Sequence, residues 1–361
     1  MIGSVRRLVA PPLLLSAGVQ TGASAARWTP AARAAHNGSM VTVSEIGEFG
    51  LISRLSKQVE AARLQPPATE RFELKVGIGD DAAAWTVNGT EVSTTDTMVE
   101  GVHFTRQTVP WVDLGWRAFA ANLSDIAAMG AVPTVGIVTL GLPRDLPVEA
   151  VDQLYDGMLE ACRCYVTLIV GGDIVSSRDV FVTIAMQGVC DGEPLMRNAA
   201  RVGDAIAVSG TLGGSRAGLE LLNSGLSGPE LLVQAHRRPE PRIVEGKSIA
   251  NAGIRCAMDV SDGLAADLGK LTEASGVGAR VQAAHVPLAP GLMETFPEQA
   301  LEFGLTGGED YELLFVGPRE LIDGIRGAVV IGEITSGGGV SIVDAAGDEM
   351  TLADAGWDHL R

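Results

Sequence analysis

Acidic residues recur in this sequence beside glycines, at places where a divalent cation or a phosphate could sit. Five short segments carry them: Gly77-Ile78-Gly79-Asp80-Asp81, Ser93-Thr94-Thr95-Asp96, Gly171-Gly172-Asp173, Met258-Asp259-Val260-Ser261-Asp262-Gly263 and Gly307-Gly308-Glu309-Asp310. Each reads as a strand end or a glycine turn, and strand ends are where α/β proteins place ligands. One such turn alone is equally a cap or a solvated loop. A sixth feature is helical: between Leu114 and Met129 the residues are mostly apolar, yet Asn122, Asp125 and Met129 share one face. Asp125 then falls in the last turn before Gly130 and Pro133, where the helix dipole disfavours an anion and a cation would relieve it. A hydrogen-bonded core aspartate is the alternative.

Two unit charges 4 Å apart repel by about 4 kcal/mol at an effective dielectric near 20. Converging aspartates therefore demand protonation or metal. Hard oxygen ligands select Mg²⁺, Mn²⁺ or Ca²⁺, and Thr94 and Thr95 add hydroxyl or backbone oxygens. Zinc is not expected, because the five histidines (His36, His103, His236, His285, His359) are scattered without ligand spacing.

In the segment from Met258 to Gly263, strand alternation puts Asp259 and Ser261 on one face. Asp262-Gly263 then turns into a helix marked by Leu264, Leu268 and Leu271. A helix N-terminus offers free N–H groups to an anion, and capping by its own side chains is the competing use. Gly210 to Gly214 opens another helix. The two familiar phosphate loops are missing: Gly246-Lys247-Ser248 imitates the end of a P-loop, but Pro241 stands at its first glycine, and no GxGxxG follows a strand. Arg197 is a candidate phosphate clamp, or simply a surface residue.

The elements that must hold these residues alternate. Strands are expected at 92–95, 134–140, 166–170 and 180–189, with helices at 53–63, 112–129 and 148–163. After a boundary near residue 195, strands are expected at 205–208, 257–260, 280–281, 312–316, 329–331 and 340–343. At 361 residues, with 45 glycines and 4% aromatics, the chain suits a two-domain α/β protein of mixed sheets. The charge of −17, from 27 basic against 44 acidic residues, argues against nucleic acid as partner. No stretch is long and apolar enough to span a membrane. Cys162, Cys164, Cys190 and Cys256 form no CxxC pair and read as buried reduced thiols.

Seven blocks in this order resemble the thiamine-monophosphate kinase family, within a superfamily that includes aminoimidazole ribonucleotide synthetase and selenophosphate synthetase. They are Gly-Glu-Phe at 47–49, Gly-Ile-Gly-Asp-Asp-Ala-Ala at 77–83, Thr-Asp-Thr-Met-Val-Glu-Gly-Val-His-Phe at 95–104, Asn-Leu-Ser-Asp-Ile-Ala-Ala-Met-Gly-Ala at 122–131, Val-Gly-Gly-Asp at 170–173, Met-Asp-Val-Ser-Asp-Gly-Leu at 258–264 and Gly-Gly-Glu-Asp-Tyr-Glu-Leu at 307–313. Ile174 departs from it, since a Thr often follows Gly-Gly-Asp there.

The resemblance implies an aminoimidazole ribonucleotide synthetase-like fold of two α/β domains, 41–195 and 196–361, whose N-terminal sheets pair into a barrel in a homodimer. It implies Mg²⁺ ligands at Asp81, Thr94, Thr95, Asp96, Asp125, Asp173, Asp259 and Asp262, with Asp96, Asp125 and Asp262 at the reacting centre. ATP would be contacted by Tyr155, Gly172, Asp173, Arg197 and Ser261, and thiamine monophosphate by His103, Glu309 and Trp357. The implied reaction passes the γ-phosphoryl of ATP to thiamine monophosphate, several Mg²⁺ ions assisting. Such an enzyme is expected in the cytoplasm, although Arg6, Arg7 and the apolar run Leu8 to Leu15 imitate a signal peptide. Residues 1–40 are expected to be an over-long start or a disordered tail. Two alternatives stand beside this reading: another ATP-using enzyme of the superfamily, and a non-catalytic acidic cation-binding protein. No Cys precedes Cys162 to serve selenophosphate synthetase chemistry, and EF-hand spacing is absent.

Overall fold

The computed structural model describes residues 41–350; segment 1–40 and Trp357 lie outside the described residues. The first half runs α1 (Val43–Ala61), β1 (Phe72–Val76), β2 (Ala84–Val87), β3 (Glu91–Val99), α2 (Trp111–Ala128), β4 (Val132–Leu142), α3 (Val148–Tyr165), β5 (Leu168–Ser176) and β6 (Phe181–Val189). The second half runs β7 (Ala205–Val208), α4 (Gly214–Ser224), α5 (Glu230–Arg237), α6 (Ile243–Asn251), β8 (Cys256–Asp259), α7 (Leu264–Ser275), β9 (Gly278–Gln282), β10 (Leu313–Gly317), β11 (Val329–Thr335) and β12 (Gly339–Val343).

Helix α1 begins ten residues before the expected Ser53, because the start signal is a capping box: the Thr42 N–H donates to the Glu45 carboxylate at 2.7 Å. The hairpin of β1 and β2 went unanticipated, although Phe72, Leu74 and Val76 alternate with charged residues. Helices α5 and α6 also went unanticipated. Gly246-Lys247-Ser248 lies inside α6, where a Cβ on Gly246 would meet the Ala127 carbonyl at 2.1 Å. That glycine serves close packing of α6 on α2.

Two sheets organise the chain, ordered β3-β6-β4-β5 and β12-β9-β11-β7-β10-β8. In the first, β3 and β6 pair antiparallel over nine residues, from Glu91 opposite Val189 to Val99 opposite Phe181. Val182, Ile184 and Met186 of β6 are buried on one face. Opposite residues share a face, so the register sets Thr94 and Asp96 beside Met186 and Ile184, on the covered side. Thr95 points the other way. Continuing across the sheet, Thr97, Thr183, Thr139 and Asp173 form one row on that opposite face. Both β3 and β5 run past their acidic residues, so Asp96 and Asp173 sit within strands and not at the strand ends read from the sequence.

Helix α2 is apolar on nearly all sides and almost wholly buried, which a helix tolerates only between other elements. It packs on α3, on the first sheet through β3 and β6, and on α6 and β8 of the second half. Phe119 and Leu123 fill the core under the first sheet; Ala127 joins Leu195, Ile249 and Phe315 in a cluster spanning both halves. Tyr311, from the second half, is buried in the first core. The α2–α3 crossing is close because it is glycine on glycine: a Cβ on Gly115 would meet the Leu154 carbonyl at 1.9 Å, and one on Gly157 the Val112 carbonyl at 1.8 Å. Of the four thiols, Cys164 is exposed, against the expectation that all are buried.

Gly115→Ala forces the two helices apart. It is expected to lower stability by about 1–3 kcal/mol, read as a lower urea midpoint, whereas Gly269→Ala, inside α7 with nothing near its Cβ position, raises the midpoint through helix propensity worth about 0.5–1 kcal/mol.

Candidate active site

A cavity of about 580 Å³ lies against α2, and its walls include Asp96, Asp125, Asp259, Asp262 and Glu309. Its remaining lining comes from Met98, Val102, His103 and Ala121 in the first half and from Ser215, Arg216, Leu219, Ser261 and Tyr311 in the second, among others.

Helix α2 sets the acidic wall through its few polar side chains. Asn122 accepts from the Asp96 N–H at 3.1 Å while its own amide donates to the Ala118 carbonyl at 3.0 Å. Ser124 donates to the Asp259 carboxylate at 2.8 Å, and Thr94 of β3 donates to Asp125. One buried helix therefore registers a strand from each half of the chain.

The carboxylates feel their enclosure. Asp96 opens to the cavity, yet desolvation by the surrounding protein, followed by the charges of Asp125, Glu309 and Asp262, raises its pKa to about 7. Asp259 is 3% exposed, and burial first, then the Asp125 charge, pushes it up as well, against the Ser124 hydrogen bond. Desolvation also raises Asp125, opposed by Thr94 and by the positive charge of Arg197. Lys270 forms ion pairs with Asp262 and with the buried Asp267. Among the described residues no three acidic, His or Cys side chains converge closely enough to cage a metal unaided.

At both helix starts singled out in the sequence the chain's own carboxylates take backbone N–H groups, those of the helix end itself at α4 and those of the loop just before it at α7. Asp267 accepts from the Ser261 and Asp262 N–H groups at 3.0 and 2.9 Å. Asp310 accepts from Gly213 and Ser215 at 2.6 and 3.0 Å, at the start of α4. Between these points runs the Gly307–Glu312 turn, in which a Cβ on Gly308 would meet the Ser261 carbonyl at 2.5 Å. Glu312 is held by a bidentate Arg242 at 2.8 and 2.5 Å.

Of the residues expected at a site, Asp96, Asp125, Asp259, Asp262, Ser261, His103 and Glu309 line this cavity. Thr94 stands behind it on Asp125, and Arg197 is exposed and within electrostatic range of Asp125. Asp81, Thr95, Gly172 and Asp173 are exposed and not among the lining residues, so the eight expected ligands do not form one cluster within this chain. Tyr155 is 6% exposed in the core on α3 and away from the cavity lining, because its helix face packs inward. Trp357 lies outside the described residues. Sequence reasoning missed Arg117, Ser124, Ser215, Asp267 and Lys270. Ser124 was findable, two residues from Asn122 on the same polar-marked helix; Arg117 on an apolar helix was a comparable signal.

The fold and the cavity define a protein of the AIR synthase related type: the N-terminal domain of that family matches residues 79–190 and its C-terminal domain residues 201–345. The chain is 37% identical to the thiamine-monophosphate kinase of Aquifex aeolicus, over 88% of this chain and 99% of that protein. It is 36% identical to that of Escherichia coli O157:H7, over 87% and 98%. A solved structure of AaThiL complexed with AMPPCP and TMP superposes with a TM-score of 0.69 at 34% identity, covering 89% of this chain and all of that one. The chain belongs to the AIR synthase related family, in its thiamine-monophosphate kinase branch.

The raised Asp96 pKa has a sign that can be checked. In the unfolded chain this carboxyl titrates near 3.8 and in the fold near 7, so the fold favours the protonated form. Its stabilising effect is present below about pH 4 and is lost as pH rises towards 7. In chelator, the melting temperature is expected to decline between pH 4 and pH 7, and Asp96→Asn to flatten that decline; an equal slope in the variant would remove Asp96 as its source.

Proposed function

We infer that this chain transfers the γ-phosphoryl group of ATP to the phosphate of thiamine monophosphate, yielding thiamine diphosphate and ADP. One observation carries the reading: carboxylates from β3, α2 and the β8–α7 turn, far apart in sequence, face one cavity large enough for phosphorylated ligands. The relatives named thiamine-monophosphate kinase and the AaThiL complex with AMPPCP and TMP supply the substrate pair.

A wall of desolvated carboxylates repels phosphate unless cations stand between. The donors here are hard oxygens, and burial raises the pKa of Asp96 and Asp125, with neighbouring carboxylates adding to it at Asp96, a strain that a bound Mg²⁺ would relieve. Mg²⁺ commonly uses one or two carboxylates, water and substrate phosphates in place of an all-protein cage, in keeping with the spread of these side chains. When bound, Mg²⁺ would offset the charge of both phosphates and of the oxygens that develop charge in transfer. Asp96, Asp125, Asp259 and Asp262 would hold it.

The chain's own tasks are placement and exclusion of water. The β–γ bridging P–O bond of ATP breaks as a new P–O bond forms to an acceptor phosphate oxygen, and ADP departs with the bond electrons. A phosphate monoester has its second pKa near 6 and is ionised at neutrality, so no general base is needed. This accounts for a cavity with a single histidine in its lining. His103 accepts the Val99 N–H at Nδ1, 3.1 Å away, which orients its ring at the cavity wall. Arg197 and Ser261 would contact ATP, and Glu309 with His103 the thiamine moiety. Asp81 and Asp173, beyond this cavity, would reach metal only if further elements complete the site.

We place the enzyme in the cytoplasm and as a homodimer. Four free cysteines suit a reducing compartment. No helix among the described residues is long and apolar enough to cross a membrane. Among the described residues the nine-residue edge strand β3 pairs on one side only, which favours a second sheet against it. Light scattering after size exclusion is expected to give twice the chain mass; a monomer at micromolar concentration would overturn the dimer.

Purified protein with Mg-ATP and thiamine monophosphate is expected to form ADP and thiamine diphosphate in equal amounts, and chelator to stop it. Asp125→Asn keeps size and the Thr94 contact but removes charge. It is expected to cost roughly a thousandfold or more in turnover with an unchanged circular dichroism spectrum. ATP hydrolysis without thiamine diphosphate would point to another enzyme of the superfamily, and no turnover with retained cation binding to the non-catalytic reading.

A further inference from the structure

Arg117 lies on α2 and is fully buried, at 0% exposure. Its Nη2 donates to Glu309 Oε2 and its Nη1 to the carbonyl of His236 in α5. The partner is not equally sealed: the Glu309 side chain is 31% exposed and lines the cavity. The Arg242–Glu312 pair nearby is the reverse, with a carboxylate at 4% and a guanidinium at 24% exposure, the pattern of a brace that ties a turn to a helix. A guanidinium withdrawn from water requires a paired anion. Leaving that anion half open to a ligand cavity gives the pair an orienting role.

The backbone at Glu309 points the same way. Glu309 and Tyr311 have φ of +63° and +54°, the left-handed region that residues with side chains resist. The turn is pinned by Glu309 N–H to the Ser261 carbonyl at 2.8 Å, by Tyr311 N–H to the Val260 carbonyl at 3.0 Å, and by Tyr311 itself in the first core. These contacts fix the backbone; Arg117 fixes the carboxylate. With Oε2 engaged by Arg117, Oε1 is the oxygen left to accept a bond from a ligand.

We propose that Arg117 is a positioning residue for substrate recognition: through its bond to Glu309 Oε2 it presents Glu309 Oε1, with its negative charge, to the amino group of the aminopyrimidine in thiamine monophosphate. This rests on the kinase reading above and adds to it a buried residue that touches neither substrate. Arg117 acts on affinity for the phosphate acceptor, and its hydrogen bonds go to Glu309 and to the His236 carbonyl and to none of Asp96, Asp125, Asp259 and Asp262 on the ATP side.

The test is steady-state kinetics on the full chain, with calorimetric titration of thiamine monophosphate alone, for Arg117→Met, Arg117→Lys, Glu309→Gln and the double variant Arg117→Met with Glu309→Gln. Arg117→Met is expected to raise the KM for thiamine monophosphate by about tenfold or more, as for a coupled charge pair, and to leave the KM for ATP within twofold. Arg117→Lys, which keeps the charge, recovers most of that loss; should Arg117→Met not fold, Arg117→Gln, which removes the charge but keeps a polar side chain, takes its place with the same expected rise. The double variant is expected to bind no worse than Glu309→Gln, because Arg117 acts through Glu309. A merely structural role would lower the active fraction and the melting temperature without separating the two KM values. Equal rises in both KM values, an unchanged KM for thiamine monophosphate, or additive losses in the double variant would overturn the proposal. If the wild type neither binds nor turns over thiamine monophosphate, the kinase reading falls and takes this proposal with it. If the wild type is active and the Arg117 variants match it, only the role of Arg117 falls.

Discussion

Carboxylates that share a desolvated cavity repel one another, and much of this structure is arranged to hold them there regardless. Asp96, Asp125 and Asp259 are each pushed upward from the ordinary carboxylate range by burial, and Asp96 and Asp259 also by the charges of neighbouring carboxylates. Unrelieved, that is a standing cost of folding; offset by cations and phosphates, the same arrangement becomes a binding site. Stability of the empty protein and affinity for a charged ligand are thus opposed through the same side chains.

Helix α2 makes the opposition bearable. It is buried on nearly all sides, and its polar side chains are each committed: Asn122 to β3, Ser124 to β8, Arg117 to the Glu309 turn. A helix packed glycine against glycine on α3 cannot slide without breaking these bonds together. The first and second halves of the chain are therefore set against each other with the cavity between their contributions. The protein's own carboxylates shape these ends: Asp310 takes N–H groups at the start of α4, and Asp267, in the first turn of α7, takes those of Ser261 and Asp262 just ahead of that helix.

Much of this was legible in the residues. The acidic blocks around Asp96, Asp125, Asp259 and Glu309 do face one cavity, and the strand at 205–208 lies where its apolar run put it. What escaped was register and orientation. Period-two alternation sends Thr95 away from Thr94, and pairing across four strands carries Asp173 to the uncovered face, which no single segment reveals. Tyr155 looks like any polar-tipped residue in sequence, yet its helix face turns it into the core. Arg117 was hidden for the opposite reason: a charged residue in an apolar helix finds meaning only once its partner, 192 residues on, is known.

The central claim is that the carboxylates of β3, α2 and the β8–α7 turn jointly hold the metal that carries ATP phosphates. Crystals grown with a non-hydrolysable ATP analogue and Mn²⁺, measured by anomalous diffraction, address it directly. The account predicts anomalous peaks in direct coordination with at least two of Asp96, Asp125, Asp259 and Asp262 and with the nucleotide phosphates. Nucleotide bound with its metal elsewhere, and these four side chains making no contact to either, would contradict it.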